Sequence, residues 1–152
     1  MSFWLMKSEP EVFSIEDLRK KKVSGWDGVR NYQARNFMRA MKKGDLAFFY
    51  HSNAQPPGVA GVMEVAREAY ADATQFDPKD GHFDGKASPG APIWFHVDVR
   101  WLESFPRLVP LDELRGMPEL SGMTLFKRSR LSVQPVEEAQ WKAIVRAGRK
   151  KA

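Results

Sequence analysis

The run Trp26-Asp27-Gly28-Val29-Arg30-Asn31 is the sharpest signature in the sequence, and it leads from a glycine-punctuated loop into an amphipathic helix. After it, Ala34, Phe37, Met38 and Met41 recur at i, i+3, i+4 and i+7. That spacing predicts a helix from Tyr32 to Lys43 with one apolar face. Asn31 is a good cap for its start, and Gly44 stands where a left-handed cap belongs. Val23 to Val29 reads as a glycine-punctuated loop. Within it, Trp26 admits two readings. As an exposed platform it would stack a nucleobase, an interaction worth about 1–3 kcal/mol. Gly28 would then let the backbone approach a ligand, Arg30 would touch phosphate or base, and the amides after Asn31 would attract an anion. Alternatively, Trp26 folds onto the core and Arg30 is solvated.

Upstream, Phe3-Trp4-Leu5-Met6 reads as a buried strand ended by Lys7-Ser8-Glu9-Pro10. Ser14 then caps a short helix from Ile15 to about Lys22. Downstream, Leu46 to Tyr50 is apolar throughout, as in a strand covered on both faces. Asn53 to Gly58 is a turn. Val59 to Ala69 alternates, and so does Ile93 to Leu102. Asp72 to Pro92 is polar and reads as a long surface loop. Short helices are expected at Leu111–Arg115, entered through Pro110, and at Thr124–Ser129. Leu131-Ser132-Val133 should be a strand closed by Pro135, followed by a last helix from Glu137 to Ala147. About five strands with short helices between them indicate an α+β domain, plausibly a partly closed barrel.

The chain has 152 residues, enough for one domain, expected over 1–147 with a basic tail at 148–152. It has no cysteine, which removes disulfides, thiolate metal sites and cysteine nucleophiles. Its net charge of +5 favours a polyanionic partner. No segment reads as a membrane span or a secretory leader, so the expected location is cytoplasmic. His51, His82 and His96 lack metal-ligand spacing, and no metal or cofactor is expected. No phosphate loop, dinucleotide fingerprint or nucleophile elbow is present. Nothing signals an oligomer, and a monomer is the expected state.

Three further segments attract attention. Lys7-Ser8-Glu9-Pro10 places a cation, a hydroxyl and a carboxylate at a strand end. Tyr50-His51-Ser52 does something similar at another. Lys127-Arg128-Ser129-Arg130-Leu131-Ser132 mixes cations with hydroxyls, which suits phosphate contacts.

Taken in order, these pieces resemble the EVE family, a branch of the PUA-like superfamily. The matching text is Trp4 to Pro10, Trp26 to Asn36, Gly44-Asp45-Leu46, Phe49 to Ser52, Gly61 to Val65, Asp72 to Asp77 and Ser129 to Val133. The resemblance implies a PUA-like, mostly antiparallel β pseudobarrel with surrounding short helices. It also implies kinship with YTH domains, which bind methylated adenine in RNA. Members of the family are associated with methylated and hydroxymethylated cytosine. The expected function is therefore a non-catalytic nucleic-acid-binding module that reads a modified base in DNA or RNA. Asp27 and Glu9 replace a serine and an asparagine of the YTH-like pattern, so methyladenine is not carried over.

The expected base pocket comprises Lys7, Ser8, Glu9, Trp26, Asp27, Gly28, Val29, Asn31, Tyr50 and Ser52. Expected phosphate contacts are Lys7, Arg30, Arg128, Arg130 and Ser132. The second aromatic wall could be Tyr50, Trp94 or Trp101. The alternative function is a nucleic-acid-modifying or RNA-processing enzyme using Glu9 and Asp27.

Overall fold

The fold was analysed in a computed structural model whose described residues are 1–150. Six strands form one sheet in the order β2-β5-β4-β3-β1-β6: β1 (Phe3–Ser8), β2 (Val23–Gly25), β3 (Leu46–His51), β4 (Gly58–Ala71), β5 (Phe95–Pro110) and β6 (Val133–Val136). The β1–β3 pair is parallel and every other pair is antiparallel. The α+β, mostly antiparallel expectation therefore holds. Helices α1 (Ile15–Lys21), α2 (Tyr32–Ala40), α3 (Leu111–Arg115), α4 (Thr124–Lys127) and α5 (Glu138–Arg149) surround the sheet.

Alternation along the strands sorts the core into two clusters. Trp4, Met6, Ala47 and Phe49 join Leu18, Ala34 and Met38 of α1 and α2. Leu5, Phe48, Val59 and Val62 join Trp141 and Ile144 of α5. The central strands are thus buried on both faces, and Gly58 to Met63 are all buried. The first half of β4 therefore has no solvent-facing side, whereas Arg67 and Glu68 further along it are exposed.

Local signals fixed several boundaries. Ser14 Oγ accepts from Asp17 N at 3.1 Å while Ser14 N donates to an Asp17 carboxylate oxygen at 2.8 Å, closing a capping box on α1. Asn31 Oδ1 accepts from Ala34 N at 2.9 Å and starts α2. Asp45 carries a third junction. Burial opposes its ionisation, but hydrogen bonds from Lys42 N, Ser2 N and Trp4 Nε1 outweigh that and hold its carboxyl low.

Other expectations are corrected. Val23 to Gly25 is a strand, because its backbone pairs with Asp98 to Arg100. Helix α2 stops at Ala40, and Gly44, with φ +95°, serves the turn into β3 and not the helix cap. β5 continues to Pro110 through bulges against β4. Pro135 lies inside β6, an edge strand, where a sheet tolerates proline. The tail expected from residue 148 is instead helical to Arg149. Gly148 is buried against the Phe105 ring, and Arg149 pairs with Glu103 at 2.6 Å. Lys151 and Ala152 lie outside the described residues.

His51 ties β3 to α1. Its Nε2 accepts a hydrogen bond from Ile15 N at 3.2 Å, and burial lowers the ring's pKa. The folded state therefore prefers the neutral ring. Its contribution is complete above the ordinary histidine value of about 6.5 and is lost as pH falls through that value towards the lower folded one. In urea titrations between about pH 7.5 and 5, the parent is expected to lose more stability than His51→Gln does. Parallel losses would contradict the assignment.

Candidate nucleic-acid interface

The Trp26–Asn31 loop is held by backbone and by one buried carboxylate. Trp26 N donates to Val97 O at 2.9 Å, extending the β2–β5 pairing by one residue. The indole is only 6% exposed. It meets Phe49 edge-on at 5.2 Å and Phe13 edge-on at 6.5 Å. Trp26 is therefore folded onto the core and is not a free-standing platform, although it still borders the cleft described below.

Arg30 is half-buried at the edge of the cleft and is held by the protein itself. Its guanidinium donates to Val29 O, His82 O, Thr74 Oγ1 and Asp72 Oδ2, at 2.9–3.1 Å. It also sits 5.3 Å from the centre of the Trp94 ring. Asp72 is the centre of this network. Its carboxylate also accepts from Gly28 N at 2.8 Å and from Thr74 N at 2.9 Å. Burial alone would raise its pKa, but these bonds, led by that from the Thr74 hydroxyl, hold it below the usual range. Gln75, fully buried, braces the same region. Its amide nitrogen donates to Asp72 O and Trp94 O, and its amide oxygen accepts from Ile93 N and Trp94 N. The stretch 72–92 is thus not simply a surface loop.

A cleft of about 560 Å³ opens between this loop and the end of β1. Phe13, Trp26 and Val29 supply its apolar lining. Ser8, Ser24, Asp27 and Gly28 supply polar groups, and Lys7 and Lys21 supply cations. Val12, Arg30, His82 and Ser132 complete its lining, so Arg30 and Ser132 of the expected phosphate contacts reach it with Lys7. The ammonium of Lys7 donates to Ser129 O at 2.7 Å, and burial lowers its pKa. Lys7 thereby connects the cleft to a shallow basic depression of Asn31, Lys127, Arg128, Ser129, Arg130 and Leu131. Arg128 reaches Gln33 Oε1 at 2.5 Å but remains exposed, as does Arg130.

Of the expected pocket residues, Lys7, Ser8, Trp26, Asp27, Gly28 and Val29 share the cleft. Four do not border it. Glu9 is exposed and accepts from Asn53 Nδ2 at 3.2 Å. Asn31 spends its side chain capping α2 and faces the basic depression. Tyr50 is buried in the cluster on the sheet's other face. Ser52 pairs through its backbone with Ser8 O. Among the three candidate walls, Trp94 packs on Tyr32 and donates to Asp84, and Trp101 donates to Ser104. None of the three borders the cleft; the second aromatic there is Phe13. A signal for Phe13 existed, since an apolar residue just before an N-cap commonly packs under the helix. Asp72 and Gln75 lie in the matched Asp72–Asp77 stretch, and Asp72 caps a short helix at Thr74, but the bonds that carry the loop, to Gly28 and Arg30 more than 40 residues away and from Gln75 to Trp94, had no local signal.

Gly28 has φ +80°, and a Cβ there would stand 2.8 Å from His82 Nε2. His82 is itself fixed by Asp80, whose carboxylate lies 2.9 Å from Nδ1. Gly28→Ala is therefore expected to cost about 1–2 kcal/mol in backbone strain and to push His82 aside. Thermal unfolding measures the first effect and the His82 ring resonances the second. An unchanged midpoint would contradict the strain.

Among the described residues, no group of three or more His, Asp or Glu could hold a metal ion. No described helix is long and apolar enough to cross a membrane.

Comparison with known proteins places this geometry. The EVE domain model matches residues 2–147. Mouse thymocyte nuclear protein 1 is 47% identical over 164 aligned residues, covering 95% of this chain and 72% of the relative. A crystal structure of the human THYN1 protein in complex with 5-methylcytosine-containing DNA superposes with a TM-score of 0.95 at 44% identity, covering all of both chains. A hypothetical protein from Leishmania major superposes equally well, at TM-score 0.95 and 49% identity over 97% of this chain and 94% of that one. An ASCH protein from Zymomonas mobilis, 10% identical with a TM-score of 0.56 over 96% of this chain and 98% of that one, shares the fold alone. By the extent of the model match and of these identities, the chain belongs to the EVE domain family.

Proposed function

We propose that this chain is a non-catalytic reader of a modified base in DNA, with 5-methylcytosine as the base. The observation that carries the reading is the cleft itself. It places an apolar lining of Phe13, Trp26 and Val29 beside an exposed carboxylate, Asp27, and next to a basic depression. The human relative solved with 5-methylcytosine-containing DNA supports it. In this reading the methyl group and ring rest on the apolar lining. Asp27 accepts from the exocyclic amine of cytosine, which presents a donor and no acceptor at that position. Ser8 Oγ donates to Phe13 O at 2.6 Å, so its lone pairs stay open to the base edge. Lys7, Arg128 and Arg130 hold phosphates flanking the base, and Lys21 adds positive potential. Arg30 acts by holding the loop.

The enzymatic alternative gains nothing from the arrangement. Glu9 and Asp27 do not share the cleft, so the paired carboxylates needed for acid–base work are not assembled.

The roles separate in binding measurements. Asp27→Ala is expected to lower affinity for a methylcytosine oligonucleotide about tenfold, the order of one good base-edge contact, with an unchanged salt slope. Arg130→Ala is expected to weaken methylated and plain oligonucleotides alike and to reduce the salt slope by about one. If Asp27→Ala weakens both oligonucleotides equally, the carboxylate is not a base contact.

A further inference from the structure

We propose that Val12 is a wedge that enters a DNA duplex as the read base leaves it, so that the ligand of the cleft is double-stranded DNA. The inference rests on the base-reading function proposed above.

Val12 is 77% exposed and borders the cleft. A lone exposed valine is ordinary on a protein surface; its mounting and its position here are not. It sits on the tip of the Glu9–Phe13 turn, which is fixed from several sides. Val12 N and Phe13 N both donate to Glu9 O, at 3.0 and 2.9 Å. Ser8 Oγ donates to Phe13 O at 2.6 Å, and Asn53 Nδ2 donates to the Glu9 carboxylate at 3.2 Å. The next side chain, Phe13, packs among Trp26 and Phe49. Ser14 then begins α1 through its capping box. The tip is therefore a stiff support holding a compact apolar side chain out into solvent at the mouth of the base cleft.

That is the arrangement a flipped base requires. A nucleotide drawn out of a duplex leaves a gap between neighbouring base pairs, and its loss of stacking must be offset. Apolar side chains inserted between base steps fill such gaps. A β-branched residue suits the role because its side chain is stiff and little rotamer freedom is lost on insertion. Among the described residues, the other large exposed apolar side chains, including Val23, Tyr32 and Phe83, do not line the cleft. A single-stranded ligand needs no wedge, because its base is already unstacked.

The test compares one 5-methylcytosine oligonucleotide as a single strand and as a duplex, by fluorescence anisotropy at fixed salt, with parent and Val12→Ala. Because Val12 is exposed, the variant should unfold at the parent's midpoint. Loss of the two terminal methyl groups is expected to weaken duplex binding about tenfold and single-strand binding by clearly less. Equal loss on both forms, no loss on the duplex, or a parent that binds only the single strand would overturn the wedge while leaving the base-reading function standing. A parent without preference for methylated over plain cytosine in either form would overturn that function, and the wedge with it.

Discussion

Asp72→Ala should lower the stability of the protein by about 3 kcal/mol, the lower end of the cost of removing one partner from a buried ion pair. The lower end applies because the Arg30 side chain keeps 21% exposure while that of Asp72 keeps 2%. The deletion strands more than one donor. Gly28 N and Thr74 N lose their acceptor and the Arg30 guanidinium loses its charged partner, and buried donors left unpaired carry their full desolvation cost. Asp72→Asn keeps an acceptor in place but loses the charge, and should fall between parent and alanine. Urea unfolding at neutral pH measures both. The functional consequence follows from the same bonds. With Gly28 released, the backbone that borders the cleft loses its position, and affinity for methylated DNA should fall even at temperatures where the variant is fully folded. A stability change below about 1 kcal/mol, the scale of an ordinary exposed ion pair, would show that Asp72 is not the centre of the loop.

The second large effect concerns Trp26. Trp26→Ala is expected to cost about 3–5 kcal/mol, as for other large aromatic-to-alanine changes in cores, since the indole fills space between Phe13 and Phe49. A loss of binding in that variant would therefore report unfolding as much as recognition. Trp26→Phe keeps an aromatic surface beside the cleft with a smaller cavity. It should retain the fold and lose part of the preference for a modified base. If Trp26→Ala unfolds at the parent's urea midpoint, the side chain is not the core element described here.

These two residues also show what the sequence disclosed and what it withheld. Local chemistry was readable where it acts over a few residues: the Ser14 and Asn31 caps, the helical face of Ala34 and Met38, and the apolar centre of β3. Lys7, Ser8 and Trp26 to Val29, which the order of motifs had grouped, line one cleft. Long-range pairing was not readable. Arg30 looked free because Asp72, 42 residues away, cannot be seen from its own segment. The flanking glycines left both readings of Trp26 open, and the contacts with Phe49 and Phe13 decide for the core. Tyr50 looked like a pocket wall at a strand end, but alternation along β3 turns it to the face opposite Phe49. Burial of the polar residues Asp72 and Gln75 inside a stretch rich in turn residues had no periodic signature at all.

The position of the base is read out by mapping amide and indole chemical shifts as a duplex containing one 5-methylcytosine is added. The largest methyl-dependent changes, relative to the same duplex with plain cytosine, are expected at Ser8, Gly25, Trp26, Gly28 and Val29. Glu9 and Ser52 should move little, and Tyr50, on the far side of the sheet, least. Methyl-dependent changes gathered instead around the groove lined by Phe3, Leu46, Trp141 and Arg146, with the Trp26–Asn31 loop silent, would contradict the account.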